Sequence, residues 1–188
     1  MKDSLKTRLK EQYPAWHEQP MQLTSCELEN PFSVLLFYFT RYSLIGSRAC
    51  LKELLHDALC ADGVDAPGHV TIHEDIEKLV EAAWLIHEQH KKEKQEANDA
   101  DTTTPGFVEL TEEWKTIDDF FMVYDLKNVS EDLWQTTKLA ITNSVEEIDA
   151  TQISDIILLF EKTKELYRVI HTLLKKQKSQ IKTNSMSS

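Results

Sequence analysis

The chain has 188 residues, of which 41% are hydrophobic and 28% charged, and its net charge at neutral pH is −11. A chain of this length and composition suits one globular domain with a sizeable core. Residues 62–149 hold 22 acidic against 7 basic side chains. We therefore do not expect broad contact with nucleic acid, because this region would repel the phosphates.

Helical periodicity dominates the chain, and only 4 glycines and 5 prolines interrupt it. The sequence predicts an all-α fold, an irregular bundle of about six or seven helices. We expect one helical domain over residues 1–178, with a mobile acidic linker near residues 97–110. A disordered tail is predicted over residues 179–188.

The first half of the chain predicts helices over residues 3–13, 31–42, 43–61 and 72–96, with a turn over residues 63–70. Asn30 is a preferred N-cap residue, and Pro31 suits the first helical position. Ser43 is predicted to cap the third helix. Thr71 and Glu74 have the spacing of a capping box, which predicts the start of the fourth helix.

The second half predicts helices that start after Thr111, at Ser130 and near Ile153. The last has the clearest pattern, an apolar seam made of Ile153, Ile156, Phe160, Thr163, Tyr167, Ile170 and Leu174. Leu159, Leu166 and Leu173 widen the seam, which favours packing in a bundle over a two-stranded coiled coil. The tryptophans at 84, 114 and 134 are expected in the core or, alternatively, in an exposed groove for a partner.

The three cysteines indicate a reducing compartment, since an odd number argues against a disulfide framework. No apolar run reaches the roughly 20 residues of a membrane span. The amino-terminal residues also lack the apolar centre of a signal peptide. The sequence therefore predicts a cytoplasmic protein without a membrane span.

His87 and His90 are the candidate metal ligands. They differ from a zinc-protease HExxH motif by one residue, because the position four after His87 is Lys91. Two histidines three apart can share a metal on one helix face, which gives the alternative of a metal-binding helical-bundle enzyme with carboxylates as further ligands. The competing interpretation is two hydrogen-bonded core histidines. We find no nucleotide-binding or nucleophile motif, so we predict no catalytic residue and no cofactor.

One stretch resembles a known family. The stretch runs from Asn30 to Leu59 and begins with Asn30, Pro31, Phe32 and Phe39. Its main pattern is Tyr42, Ser43, Leu44, Arg48, Leu51, Glu53, Leu55, Ala58 and Leu59. The pattern resembles that of small bacterial all-helical proteins, chiefly from the Bacteroidetes, with Lys52 and Leu54 where those proteins have tryptophans. The resemblance implies a helical context and no assigned activity.

The favoured hypothesis is a non-enzymatic helical module for protein–protein interaction, with a protein partner or a second copy of the chain. The candidate interaction residues are Arg41, Tyr42, Arg48 and Lys52. The three cations among them place positive charge beside the acidic middle of the chain, and the alternative for Arg48 is a surface ion pair. A third hypothesis is a nucleic-acid accessory protein that uses the basic residues 175–182. The alternative for that segment is a solubilising helix end.

Overall fold

The computed structural model describes residues 20–60, 66–100, 111–142 and 149–185, without the side chains of residues 97–100 and 180–185. These ranges contain seven helices and no strand, which confirms the predicted all-α fold for them. The helices are α1 (Ser25–Glu29), α2 (Pro31–Arg41), α3 (Leu44–Cys60), α4 (Ala66–Ala100), α5 (Glu112–Val123), α6 (Leu126–Thr142) and α7 (Ala150–Ser185).

Two predicted N-caps are confirmed. The side chain of Asn30 accepts a hydrogen bond from the backbone N–H of Ser33 at 3.3 Å, and Pro31 occupies the first position of α2. The hydroxyl of Ser43 accepts the backbone N–H of Gly46 at 3.0 Å and caps α3. These helices therefore begin where the local sequence predicts.

The predicted start of α4 is wrong. The helix begins at Ala66, so part of the predicted 63–70 turn is helical. The Thr71 hydroxyl donates to the Pro67 carbonyl at 3.0 Å instead of capping the helix. Pro67 fits because the first helical turn does not need its missing N–H.

The predicted start of α6 at Ser130 is also wrong. The helix begins at Leu126, and the Asp125 carboxylate accepts the backbone N–H of Asn128 at 2.7 Å. Asp125 thus provides the cap that the sequence analysis assigned to Ser130.

The remaining differences concern the start of α1 and the ends of α4 and α7. A capping box between Thr24 and Glu27, which the sequence analysis did not identify, starts α1. α7 continues as helix to Ser185, further than predicted, and residues 97–100 continue α4. The predicted helix over residues 3–13 and the rest of the predicted linker, residues 101–110, lie outside the described residues.

The two long helices organise the core. α4 packs mainly against α2 and α6, while α7 packs mainly against α5 and α3. The predicted seam of α7 is confirmed, since six of its members are buried: Ile156, Phe160, Thr163, Tyr167, Ile170 and Leu174. Burial of these side chains supplies the main driving force for joining the helices.

Candidate functional site

His87 and His90 have separate partners in the structure. His87 is buried at the contact between α4 and α5, where its Nε2 lies 2.5 Å from Oδ1 of Asp118 and its ring stacks on Phe121. The His90 ring lies parallel to that of Trp114, with 3.8 Å between the ring centroids. The contacts of His87 match the interpretation of a hydrogen-bonded core histidine, whereas His90 is half-buried and stacked on Trp114.

Burial lowers the pKa of His87, and the hydrogen bond with Asp118 only partly opposes this shift. We therefore expect acid to destabilise the fold through this residue. Below about pH 6.5 the unfolded histidine takes up a proton that the folded one resists. His87→Gln should therefore make the loss of unfolding free energy from pH 7 to pH 5 smaller, by at most about 1.4 kcal/mol per pH unit. Urea unfolding at both pH values measures this change. A pH dependence of His87→Gln equal to that of the wild type would contradict the assignment.

Three of the four predicted interaction residues, Arg41, Arg48 and Lys52, are exposed on α2 and α3, while Tyr42 between these helices is half-buried. We name the basic–apolar patch by its five exposed residues: Phe37, Arg41, Ile45, Arg48 and Lys52. Phe37 is 68% exposed and Ile45 82% exposed. Phe37 and Arg41 share one face of α2, and Ile45 shares a face of α3 with the two other cations. Only two residues join the helices, so their facing ends are neighbours.

Two predicted residues also tie α2 to α4. Arg41 and the Tyr42 hydroxyl both bind the Asp75 carboxylate, at 2.9 and 2.8 Å. The Arg41 guanidinium lies 5.1 Å from the centre of the Tyr42 ring. This arrangement holds the end of α2 in place and leaves Arg48 and Lys52 as the exposed cations of α3.

A second exposed apolar surface lies where α5, α6 and α7 meet. The acidic–apolar patch consists of Met122, Val123, Glu131, Asp132, Asp155 and Leu158. Its apolar members are between 47% and 83% exposed. Burial and the carboxylates of Asp155 and Glu131 raise the pKa of Asp132. Burial, together with Asp132 and Asp155, raises the pKa of Tyr124, the residue after α5. Asp132 and Asp155 therefore place negative charge beside these exposed apolar side chains, while Glu131 is also paired with Lys127 at 3.6 Å.

A line of buried polar residues on α4 is absent from the predicted features. We name it the buried polar stripe: His69, His73, Glu77 and Glu81, spaced by four residues and each no more than 7% exposed. Residues four apart share one helix face. Such a face ordinarily points to solvent, so its burial requires partners from other elements.

The first three residues of the stripe, His69 to Glu77, have partners on α3 and α6 or within the stripe. His69 Nε2 lies 3.1 Å from Oδ2 of Asp57 on α3, and His73 Nε2 lies 3.3 Å from Oε2 of Glu77. The Ser130 hydroxyl on α6 donates to the other oxygen of Glu77. Burial acts to raise the pKa of Glu77, but its hydrogen bonds with His73 and Ser130 hold that pKa below the ordinary value.

The last residue of the stripe, Glu81, binds the segment that leads into α1. The Glu81 carboxylate accepts hydrogen bonds from the backbone N–H groups of Met21, Gln22 and Leu23, at 2.6 to 3.1 Å. Burial raises the pKa of Glu81 to about 7, although these three donors favour the ionised form. The stripe thus links α4 to three other parts of the chain.

Among the described residues, the geometry gives no metal centre. No group of three or more His, Cys, Asp or Glu side chains is placed there to hold a metal ion. A cavity between α2, α4, α5 and α7 has apolar walls and room for about one water molecule.

In the predicted basic end of α7, Lys176 is paired with Glu113 at 2.9 Å. None of the described helices combines the length and apolarity needed to cross a membrane.

Comparisons with protein-family models, with curated proteins and with solved structures each find no match. The resemblance of residues 30–59 to a bacterial family therefore stays a prediction. Two signals could have revealed the missed features. The His-x3-His-x3-Glu-x3-Glu spacing on α4 marks the stripe, and apolar residues beside cations at 37–52 mark the basic–apolar patch.

Proposed function

We propose that this protein is a non-enzymatic helical module that binds another protein chain through the basic–apolar patch. The observation that carries the proposal is the exposure of two large apolar residues at helical spacing from cations: Phe37 with Arg41 on α2, and Ile45 with Arg48 and Lys52 on α3. A single exposed apolar residue is normal on a protein surface, but two large ones beside cations have the composition of an interface.

The structure of the rest of α2 and α3 supports the proposal. Leu35, Leu51 and Leu54 bury the opposite faces of these helices in the core. The Asp75 contacts with Arg41 and Tyr42 fix the end of α2 against α4. A patch on rigid helices loses little conformational entropy on binding, which favours affinity.

Site-specific photo-crosslinking in cells that naturally produce the chain tests this proposal. A photoreactive phenylalanine analogue at Phe37 or Ile45 should give a discrete adduct of defined mass, identified by mass spectrometry. The matched control is the same analogue at Gln89, an exposed position of α4 outside both patches. Arg48→Glu in the same chain should lower the adduct yield about fivefold, because a charge at an interface rim mainly steers association.

The absence of a position-specific adduct would count against the proposed function. The same adducts at position 89 as at positions 37 and 45 would also overturn it. An adduct with a mass of two chains would identify the partner as a second copy, whereas an adduct with another protein would identify a different partner.

A further inference from the structure

The two exposed apolar patches of this chain carry opposite charges. The basic–apolar patch combines Phe37 and Ile45 with exposed cations on α2 and α3. The acidic–apolar patch combines Met122 and Leu158 with Asp155 and Glu131, of which Glu131 is also paired with Lys127. The patches share no residue and lie on different helices. Each one therefore has the apolar content and the charge that the other would bind.

Charge complementarity favours this pairing over contact between identical patches. Two copies of the basic–apolar patch would bring cations together, and two copies of the acidic–apolar patch would bring carboxylates together. Like charges across an interface oppose binding, while opposite charges steer the encounter and fix the register. Burial of the exposed apolar side chains at the centre would supply most of the affinity.

We propose that the basic–apolar patch binds the acidic–apolar patch of a second copy of this chain. The inference rests on the proposed function and names the partner. Contact between two different patches is heterologous, so the copies form either a closed ring, with a dimer as its smallest form, or an open series. Cations from one copy would then face the carboxylates around Asp132 in the other copy.

Charge reversal in the full-length chain tests the pairing. Arg48→Glu with Lys52→Glu makes the first patch acidic, while Glu131→Lys with Asp155→Lys makes the second basic. All four positions are exposed, so the fold should survive, which circular dichroism checks. Lys115→Glu, an exposed reversal outside both patches, is the matched control. Sedimentation measures association from about 1 to 200 µM.

We expect the wild type and Lys115→Glu to self-associate at about 50 mM NaCl. The dissociation constant should rise at least about tenfold at about 300 mM NaCl, because salt screens exposed charges. Each reversed variant alone should be monomeric, since its two patches then carry the same sign. An equimolar mixture of the two variants should associate again, because every contact in the mixture joins opposite charges.

Three results would overturn the inference: a monomeric wild type at every concentration, reversed variants that still self-associate alone, or a mixture that stays monomeric. A monomeric wild type together with a position-specific crosslink to another protein would leave the proposed function standing and remove only the second copy as partner. A monomeric wild type with no crosslink at positions 37 and 45 would remove both.

Discussion

Replacing Leu159 with alanine is expected to lower the free energy of unfolding by about 3 kcal/mol or more. Leu159 is fully buried in α7, the helix that packs against α5 and α3. Truncation removes apolar contact and leaves a cavity that neighbouring helices cannot fill completely. Urea or guanidinium unfolding followed by circular dichroism measures the change.

The adjacent Leu158 supplies the matched control. It undergoes the same chemical change in the same helix, but its side chain is 47% exposed. Leu158→Ala should change the free energy of unfolding by no more than about 0.5 kcal/mol. Similar losses in the two variants would show that α7 does not present the face that the structure assigns to the core.

The buried face of α7 was predictable because a long helix with one buried face has apolar residues at helical spacing. Apolar residues from Ile156 to Leu174 recur every three or four positions, and the structure buries that set. Local capping signals at Asn30 and Ser43 were equally informative. In these cases the local preference and the tertiary packing favour the same structure, so the sequence alone predicts it.

The predicted helix starts failed where two local signals compete. Thr71 with Glu74 and the Ala66-Pro67 pair are both acceptable starts for α4, and the structure uses the earlier one. Asp125 and Ser130 compete in the same way for α6. A cap stabilises a helix by only about 1 kcal/mol, so packing of the extra turn decides between two such signals.

The four-residue spacing of the buried polar stripe is visible in the sequence, but its burial was not predictable from local sequence. His73, Glu77 and Glu81 recur like the exposed side of an amphipathic helix. Their burial depends on partners far away in the chain, such as Ser130, 53 residues after Glu77. Conversely, Phe37 and Ile45 have the residue types of a core and are exposed. Residue type predicts burial only as an average, and both candidate surfaces depart from it.

Glu81→Ala is expected to lower the free energy of unfolding by about 2 to 4 kcal/mol. The variant removes the acceptor of three consecutive backbone N–H groups and leaves a void in α4. Hydrogen exchange at Met21, Gln22 and Leu23 should accelerate more than exchange in the core of α7. The exposed Glu74 on the same helix is the matched control, and Glu74→Ala should leave both quantities nearly unchanged.

The pH dependence of stability distinguishes two opposing effects on the pKa of Glu81: burial raises it, and the three backbone N–H donors lower it. Its pKa of about 7 in the fold is above its ordinary value of 4.5, so the folded state keeps a proton that the unfolded state loses as pH rises between these values. Glu81 should therefore reduce stability as pH rises from 4.5 to 7, by about 1 kcal/mol per pH unit. Glu81→Gln should remove that slope.

Measuring the difference between the wild type and Glu81→Gln at each pH cancels the opposite contribution of His87, which both proteins share. A slope in the difference would mean that the cost of burying the Glu81 charge exceeds the stabilisation from the three N–H donors. Equal pH profiles would instead mean that those donors keep the carboxylate ionised throughout this range. In that case burial would not control the charge of the residue that joins the segment before α1 to α4.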